Sequence, residues 1–275
     1  MKLIDISFCE SFTILPNLCT PNLETLILSF CRNLIEVPES IGSLAKLKNW
    51  NLEYCGKLRK LPSSLRLKSL KFFSLDSCSR LEKFPNIHPE TKCLEDLNLS
   101  YSGIRELPSS LLYLTRLRTL ELDNCVQDFP NRINRMQLTP IACTSFDTLS
   151  EYGLLSLASL HLSYCGANII ELDFWKKPKY FPELTILHLS GSNIVTIPES
   201  ITSFTSLANL YIDNCKKLQK IPSLPQSIRR VSAINCFSLD PQSFRRLWTQ
   251  VSLSLSLSCK ETNFVIFLNT CYEMF

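Results

Sequence analysis

The sequence predicts an α/β solenoid in which every turn adds one short strand to a parallel β-sheet. Three observations lead to this prediction. Apolar residues recur in the frame L-x-x-L-x-L-x-x-C-x-x-L-x-x-L-P every 22 to 24 residues, the centre of the frame alternates with period two, and a proline ends most copies. About ten copies can be recognised, whereas a solenoid needs roughly three to bury a core.

The copies follow one another through residues 1–239, which we assign to the repeats. The clearest span residues 23–38, 47–62 and 70–85, and the first, over residues 4–16, lacks its opening turn. Later copies begin at Leu94, Leu117, Leu157, Leu184, Leu207 and Ile228. Two stretches, 131–156 and 173–183, are irregular, and each is either a binding loop or a tolerated surface excursion.

Residues 240–275 do not continue the frame. The segment PQSFRRLWTQ predicts a short helix, and the rest is either a capping strand or a poorly ordered end. We therefore assign residues 240–275 to a C-terminal cap or tail.

We number the frame from its first leucine, so that leucines occupy positions 1, 4 and 6 and cysteine occupies position 9. Alternation in a strand points positions 4 and 6 inward and the residues between them to solvent. The proline removes a backbone donor and turns the chain back. The frame thus predicts a leucine-rich repeat horseshoe, with a parallel concave sheet and short irregular or 3-10 segments on the convex side.

Most of the 13 cysteines have a place in the frame, because eight occupy position 9. These are Cys9, Cys31, Cys55, Cys78, Cys125, Cys165, Cys215 and Cys236. A small side chain with a weak S–H donor suits a buried turn, so we interpret them as structural rather than as metal ligands or a redox couple. A row of buried thiols also favours a reducing compartment.

The solvent-facing positions beside the strands interleave tyrosines with carboxylates. This composition is typical of a protein-binding surface, because aromatic residues anchor interfaces and acidic groups steer a basic partner. The candidate residues are Glu53, Tyr54, Asp76, Asn98, Tyr101, Glu121, Asp123, His161, Tyr164, His188, Tyr211 and Asp213. The alternative is a solvated sheet face without a partner.

No arrangement of residues predicts catalysis, a cofactor or a metal. Only three histidines are present, and two of them, His161 and His188, share one exposed position in neighbouring turns. They approach closely enough for a metal or proton-sensitive pair, but no further ligands have suitable spacing, which favours ordinary surface side chains. We therefore expect neither an enzyme nor a cofactor-binding protein.

Charge and hydropathy exclude other partners. The net charge of +4 is small and dispersed, which does not predict nucleic-acid binding. No apolar run is long enough to span a membrane, and the N-terminus does not read as a secretory signal, so we expect a cytoplasmic protein, with the nucleus as the alternative. A basic cluster on the turns contacts either an acidic domain or solvent. It comprises Lys57, Arg59, Lys60, Arg66, Lys68 and Lys71.

The repeats resemble the leucine-rich repeat region of plant intracellular immune receptors, especially those with Toll/interleukin-1 receptor and nucleotide-binding domains. The resemblance covers roughly residues 1–248 and is carried by segments such as LETLILSFCRNLIEVPESIGSLAKL and LEDLNLSYSGIRELPSSLLYLTRL. A terminal unit, LPQSIRRVSAINC, adds to its specificity. The resemblance implies binding of a pathogen effector or a guarded host protein, and restraint of a nucleotide-binding domain.

The chain departs from such receptors because it has no G-x-x-x-x-G-K-[ST] loop and no room for a Toll-type domain, so we expect a fragment of a longer receptor. The alternative function is a substrate-recruiting subunit of a ubiquitin ligase. That class has repeats of about 26 residues with longer convex helices, whereas the turns here are short and end in proline.

Overall fold

A computed structural model of the chain describes residues 1–18, 20–104, 107–124, 154–166, 173–176, 178–247, 249 and 265–267. These residues form two compact units, one of residues 1–124 with 154–157 and the other from residue 158 onward. In the described ranges, no helix is long and apolar enough to cross a membrane. Residues 131–153 of the predicted irregular stretch 131–156 lie outside the described residues.

The first unit contains six parallel strands that pair in chain order, and two shorter strands on its turns. The sheet strands are β1 (Leu3–Asp5), β2 (Thr25–Ile27), β3 (Asn49–Asn51), β5 (Phe72–Ser74), β7 (Asp96–Asn98) and β8 (Thr119–Glu121). Between them, β4 (Ser64–Leu65) pairs with β6 (Asn86–Ile87) as a second parallel ladder. The strands pair in the same register from turn to turn: Leu26, Trp50 and Phe73, all at position 4, are partners on adjacent strands.

The second unit repeats this arrangement with five parallel strands, also in chain order. They are β9 (Ser159–His161), β10 (Ile186–His188), β11 (Asn209–Tyr211), β12 (Arg230–Ser232) and β13 (Val265–Phe267). Strand β13 belongs to the tail and pairs with β12, the last strand of the frame. The predicted parallel-sheet solenoid is therefore confirmed.

The connections opposite the sheets contain short 3-10 helices, as the frame predicts. Three of them, Glu39–Ser43, Ser109–Tyr113 and Glu199–Ser203, each follow a proline in extended conformation. Proline fixes φ near −65° and ends the preceding extended segment, which is why these helices begin there. In the tail, residues 241–247 form the predicted α-helix, and the Asp240 side chain accepts a 2.6 Å hydrogen bond from the Ser243 backbone N–H at its start.

Leucines at positions 1, 4 and 6 are buried in the core, with Leu23, Leu26 and Leu28 wholly inaccessible to solvent. The irregular stretch 173–183 also packs inward. It forms the 3-10 helices Asp173–Lys176 and Pro178–Tyr180, and Trp175 lies edge-on to Phe204 at 6.1 Å between ring centroids. Trp175 and Phe181 of this stretch are therefore part of the core of its unit, whereas Lys176, Lys179 and Glu183 are exposed.

Candidate protein-binding surface

The twelve candidate residues occupy two kinds of site beside the sheets. Five are the last residues of strands and lie at position 5 of the frame: Asn98, Glu121, His161, His188 and Tyr211. The other seven were expected on strands but lie in the turn that follows, at positions 7 and 8: Glu53, Tyr54, Asp76, Tyr101, Asp123, Tyr164 and Asp213. The strands cover positions 3 to 5, and the turn that follows each of them contains a residue of different backbone conformation at position 8.

Position 8 is left-handed in every turn of the two sheets that the structure describes. Phe8, Phe30, Tyr54, Tyr101 and Tyr164 have φ between 55° and 61°, although such bulky residues rarely adopt this conformation. The backbone still pairs there, because the Tyr54 N–H donates to the Asp76 carbonyl at 2.8 Å. This regular left-handed residue turns each chain segment away from the sheet and presents its side chain to solvent.

The aromatic residues at position 8 stack on one another. The ring centroids of Phe8 and Phe30 are 4.7 Å apart, and those of Phe30 and Tyr54 are 4.5 Å apart, with nearly parallel planes. We call these three residues the aromatic ladder. Phe8 and Phe30 were not among the predicted site residues, although aromatic residues recurring at position 8 were the available signal.

A group of carboxylates lies on the solvent side of the first unit's sheet. This acidic band comprises Glu53, Asp76, Asp96, Glu121 and Asp123, of which Asp96 was not predicted. Burial raises the pKa of the Glu121 carboxyl, and the four other carboxylates raise it further. Burial likewise raises the pKa of Asp76, with contributions from Glu53 and Asp123, although a hydrogen bond from Ser77 opposes the shift.

Three carboxylates of this band are not paired with any cation of the described residues. Among the described residues, Glu53, Asp76 and Glu121 form no ion pair, and the ion pairs lie instead at position 2 and on the turns. Glu24, for example, bonds to Lys2 and Lys48 at 2.8 and 2.6 Å, which lowers its pKa to about 2. Within the described part of the chain, Glu53, Asp76 and Glu121 therefore form a negative surface without a paired cation.

Most of the predicted basic cluster is already paired. Lys60 contacts Glu36 at 3.3 Å, Arg66 and Lys68 contact Glu90 at 3.3 and 3.6 Å, and Lys71 contacts Glu95 at 3.2 Å. These pairs join neighbouring turns. The remaining two, Lys57 and Arg59, form no ion pair in the described part of the chain.

Asn98 and Asp213 are candidates whose side chains accept backbone hydrogen bonds that hold the turns together. The Asn98 amide oxygen accepts from the Ser100 N–H at 2.9 Å, which closes the turn after its strand. Asp213 accepts from the Ser232 hydroxyl at 2.6 Å and from the Ile234 N–H at 2.7 Å, which fastens the next turn. Their polar atoms are therefore already engaged in holding the repeats.

The two histidines come together in the second unit, as their shared position predicts. The rings of His161 and His188 stack at 4.1 Å, and His188 stacks on Tyr211 at 4.3 Å. Burial lowers the pKa of His161, which favours the neutral imidazole. Within the described residues, no three His, Cys, Asp or Glu side chains are grouped as a metal ion requires.

The cysteines at position 9 form a ladder of S–H hydrogen bonds. Cys31, Cys55 and Cys78 donate to the carbonyl of position 6 in the preceding turn at 3.2, 3.1 and 3.2 Å. Ser192 occupies the same position and donates its hydroxyl to the Leu162 carbonyl at 3.1 Å. Burial raises the pKa of Cys55 to about 12, so its thiol stays protonated. Cys125 lies outside the described residues.

Comparisons with known proteins identify the repeats. The Leucine Rich Repeat family model matches residues 22–44. The TMV resistance protein N of Nicotiana glutinosa is 27% identical to this chain, over 84% of the chain and 25% of its own length. The disease resistance-like protein DSC1 of Arabidopsis thaliana is 31% identical, over 81% of the chain and 17% of its own length. The chain belongs to the leucine-rich repeat proteins of plant disease resistance.

Another member of this family, disease resistance protein RPP5 of Arabidopsis thaliana, is 31% identical over 79% of the chain and 15% of its own length. The chain thus spans a quarter or less of these three disease resistance proteins. A solved leucine-rich repeat protein of Leptospira interrogans is 20% identical, over 87% of this chain and 74% of its own, with a TM-score of 0.34. The family relationship and the repeat fold indicate a module for protein interaction in plant defence.

Proposed function

We propose that the chain recognises a protein ligand, either a pathogen effector or a guarded host protein, through the acidic band and the neighbouring aromatic ladder. The observation that carries this proposal is that Glu53, Asp76 and Glu121 form no ion pair among the described residues, while burial, and then the neighbouring carboxylates, raise the pKa values of Asp76 and Glu121. A cationic partner relieves this repulsion, and the exposed rings of Phe8 and Tyr54 provide anchors beside it.

The same proposal includes restraint of a nucleotide-binding domain until the ligand arrives, because the resemblance to plant immune receptors implies that role. It also includes a cytoplasmic or nuclear location and a purely recognising, non-enzymatic role, without nucleic-acid or membrane partners. Residues 240–275 close the end of the repeats in this proposal, supported by the pairing of β13 with β12. The names of the relatives favour defence over the ubiquitin-ligase alternative.

A charge-removal experiment tests the ligand-binding proposal. In the band variant, Asp76→Asn, Glu121→Gln and Asp123→Asn remove three carboxylates from the sheet side. The matched control, Glu36→Gln with Glu39→Gln, removes turn-side carboxylates that bond within the repeats. Both chains are tested against purified effectors and host proteins by surface plasmon resonance at about 50 and about 300 mM salt.

The band variant is expected to lose association rate with the ligand by roughly 10-fold at low salt, and to lose most of the salt dependence. The control is expected to bind as the unchanged chain does. Equal effects of the band and control variants would remove the acidic band from the recognition surface.

Restraint is tested separately by co-expressing the chain in leaf tissue with an autoactive nucleotide-binding domain of a related resistance protein. The chain is expected to lower cell death, whereas a version carrying Leu26→Asp, which breaks the buried core, is expected not to. Undiminished cell death in the presence of the folded chain would contradict restraint in trans.

A further inference from the structure

A surface cavity beside the aromatic ladder differs in charge from the acidic band. It has a volume of about 360 Å³ and is lined by Phe30, Arg32, Tyr54, Gly56, Lys57 and Ser77. These residues occupy positions 8, 10 and 11 of three successive turns, on the far side of the ladder from the sheet. The cavity therefore belongs to the turns, and it meets the acidic band at Ser77, whose hydroxyl bonds to the Asp76 carboxylate.

The cavity exists because the aromatic ladder stops after Tyr54. The next residue at position 8 is Ser77, whose small side chain bonds to Asp76 at 3.2 Å and does not continue the stack. Gly56 has no side chain that could fill this space. A Cβ at this position would have a single neighbour within 4 Å, the Ser79 hydroxyl at 3.9 Å. About half of the Tyr54 side chain consequently remains exposed, at 47%.

Two cations flank this exposed ring. Arg32 is exposed, and its guanidinium has neither a hydrogen bond nor an ion pair among the described residues. Lys57 is exposed and donates to the Asn33 amide oxygen at 2.8 Å, which leaves its charge uncompensated. Four cations of the basic cluster are paired with carboxylates of neighbouring turns, whereas Arg32 and Lys57 form no ion pair among the described residues.

The ring edges and the two cations all favour an anionic ligand. The edge of an aromatic ring carries partial positive charge, and a guanidinium and an ammonium group add full charges and several donors. A carboxylate placed between Arg32 and Lys57 gains charge-assisted hydrogen bonds, and an adjoining apolar group covers the exposed part of Tyr54. A cationic ligand meets two like charges at the same place.

We propose that this cavity is a second recognition site, which binds an acidic segment of a protein partner with its Asp or Glu carboxylate between Arg32 and Lys57 and an adjacent apolar or aromatic side chain against Tyr54. The site has the opposite charge preference from the acidic band. A partner that engages both places a cationic region on the sheet and an anionic region on the turns, which fixes its orientation along the repeats.

The test uses two planar probes of the same shape and opposite charge, benzoate and benzamidine, titrated into the isotopically labelled full chain. Two-dimensional NMR reports which backbone amides respond. Benzoate is expected to shift the amide signals of Gly56 and Lys57, and benzamidine is expected to leave them unchanged. Stronger binding of benzamidine at these amides would overturn the proposal.

A charge-neutral variant, Arg32→Gln with Lys57→Gln, is expected to weaken benzoate binding at least about 10-fold, as expected for the loss of charge-assisted bonds. Both residues are exposed, so the variant is expected to keep the spectrum of the folded chain elsewhere. The matched control, Arg59→Gln, removes an exposed cation that does not line the cavity and is expected to bind benzoate normally.

Unchanged benzoate binding in the Arg32→Gln, Lys57→Gln variant would refute the site even if the chain folds normally. The acidic band is monitored in the same spectra through the amides of Glu121 and Asp123. Failure of the cavity to bind benzoate and failure of the band to bind a cationic partner are therefore separate results.

Discussion

The indole of Trp50 combines tight packing with an unsatisfied polar group. It is fully buried at position 4 and stacks on Phe73 with ring centroids 4.6 Å apart. Its Nε1–H is also buried and has no hydrogen-bond partner among the residues that the structure describes. An orphaned buried donor of this kind costs roughly 1–3 kcal/mol of folding free energy.

Replacing Trp50 by phenylalanine removes the orphaned donor and keeps an aromatic ring against Phe73. The smaller ring buries about 40 Å² less apolar surface, a loss of about 1 kcal/mol. It leaves a cavity of about 40 Å³, which costs about 1 kcal/mol more. Removing the unsatisfied indole N–H recovers about 1–3 kcal/mol, which offsets these two losses. The free energy of unfolding of Trp50→Phe is therefore expected to stay within about 1 kcal/mol of that of the unchanged chain.

The control is Phe73→Leu, at the same position in the next strand, where the replaced ring carries no polar atom. It creates a cavity without removing an orphaned group, so we expect it to cost roughly 1–3 kcal/mol. Urea unfolding followed by circular dichroism measures both variants. A loss of more than about 2 kcal/mol for Trp50→Phe would show that the indole N–H does not carry the assumed penalty.

Substitutions at three further positions test the turns. Cys55→Ser is expected to cost about 1 kcal/mol and Cys55→Ala about 2 kcal/mol, because only serine keeps the bond to the Leu28 carbonyl; equal losses in urea unfolding would contradict this role. Gly191→Ala is expected to lower the melting temperature, because φ is 69° and the new Cβ would collide with the Tyr164 ring; an unchanged melting temperature would contradict this clash. Asp76→Asn is expected to stabilise the chain at about pH 7. Folding raises the pKa of Asp76, so the unchanged chain becomes more stable as the pH falls through that raised pKa toward the usual 3.8. The variant is expected to lack this gain. Unfolding measurements at about pH 7 and about pH 4.5 compare the two chains.

The sequence was sufficient to predict what depends on the inward positions of the frame. Leucines at positions 1, 4 and 6 recur because each turn buries them against its neighbours, so their spacing determines strand order and register. The stacking of His161 on His188 followed from the same register. The structural role of the cysteines was also predictable, since a small weak donor is required at one place in every turn.

What the sequence did not predict depends on backbone conformation and on contacts across turns. Phenylalanine and tyrosine do not favour left-handed backbone, so the conformation of Phe30 and Tyr54 is not visible in their identity. The pairing that fixes it comes from the next turn of the solenoid. For that reason seven candidates assigned to strands lie in turns, and the aromatic ladder was missed. Asp96 lies on strand β7 and was missed because its proximity to the other carboxylates depends on contacts across turns.

The acidic band is costly to the fold that carries it. Cations on adjacent turns could neutralise its carboxylates, in the way that Lys2 and Lys48 neutralise Glu24. Instead, Asp76 and Glu121 are partly buried among like charges, so their ionised forms are less stable in the fold than in the unfolded chain. Packing of the leucine frame does not require these charges, because positions 5 and 7 face solvent. In the proposed function, a cationic partner turns this repulsion into attraction, and the free energy that the chain lacks when alone would be recovered as binding energy in the complex.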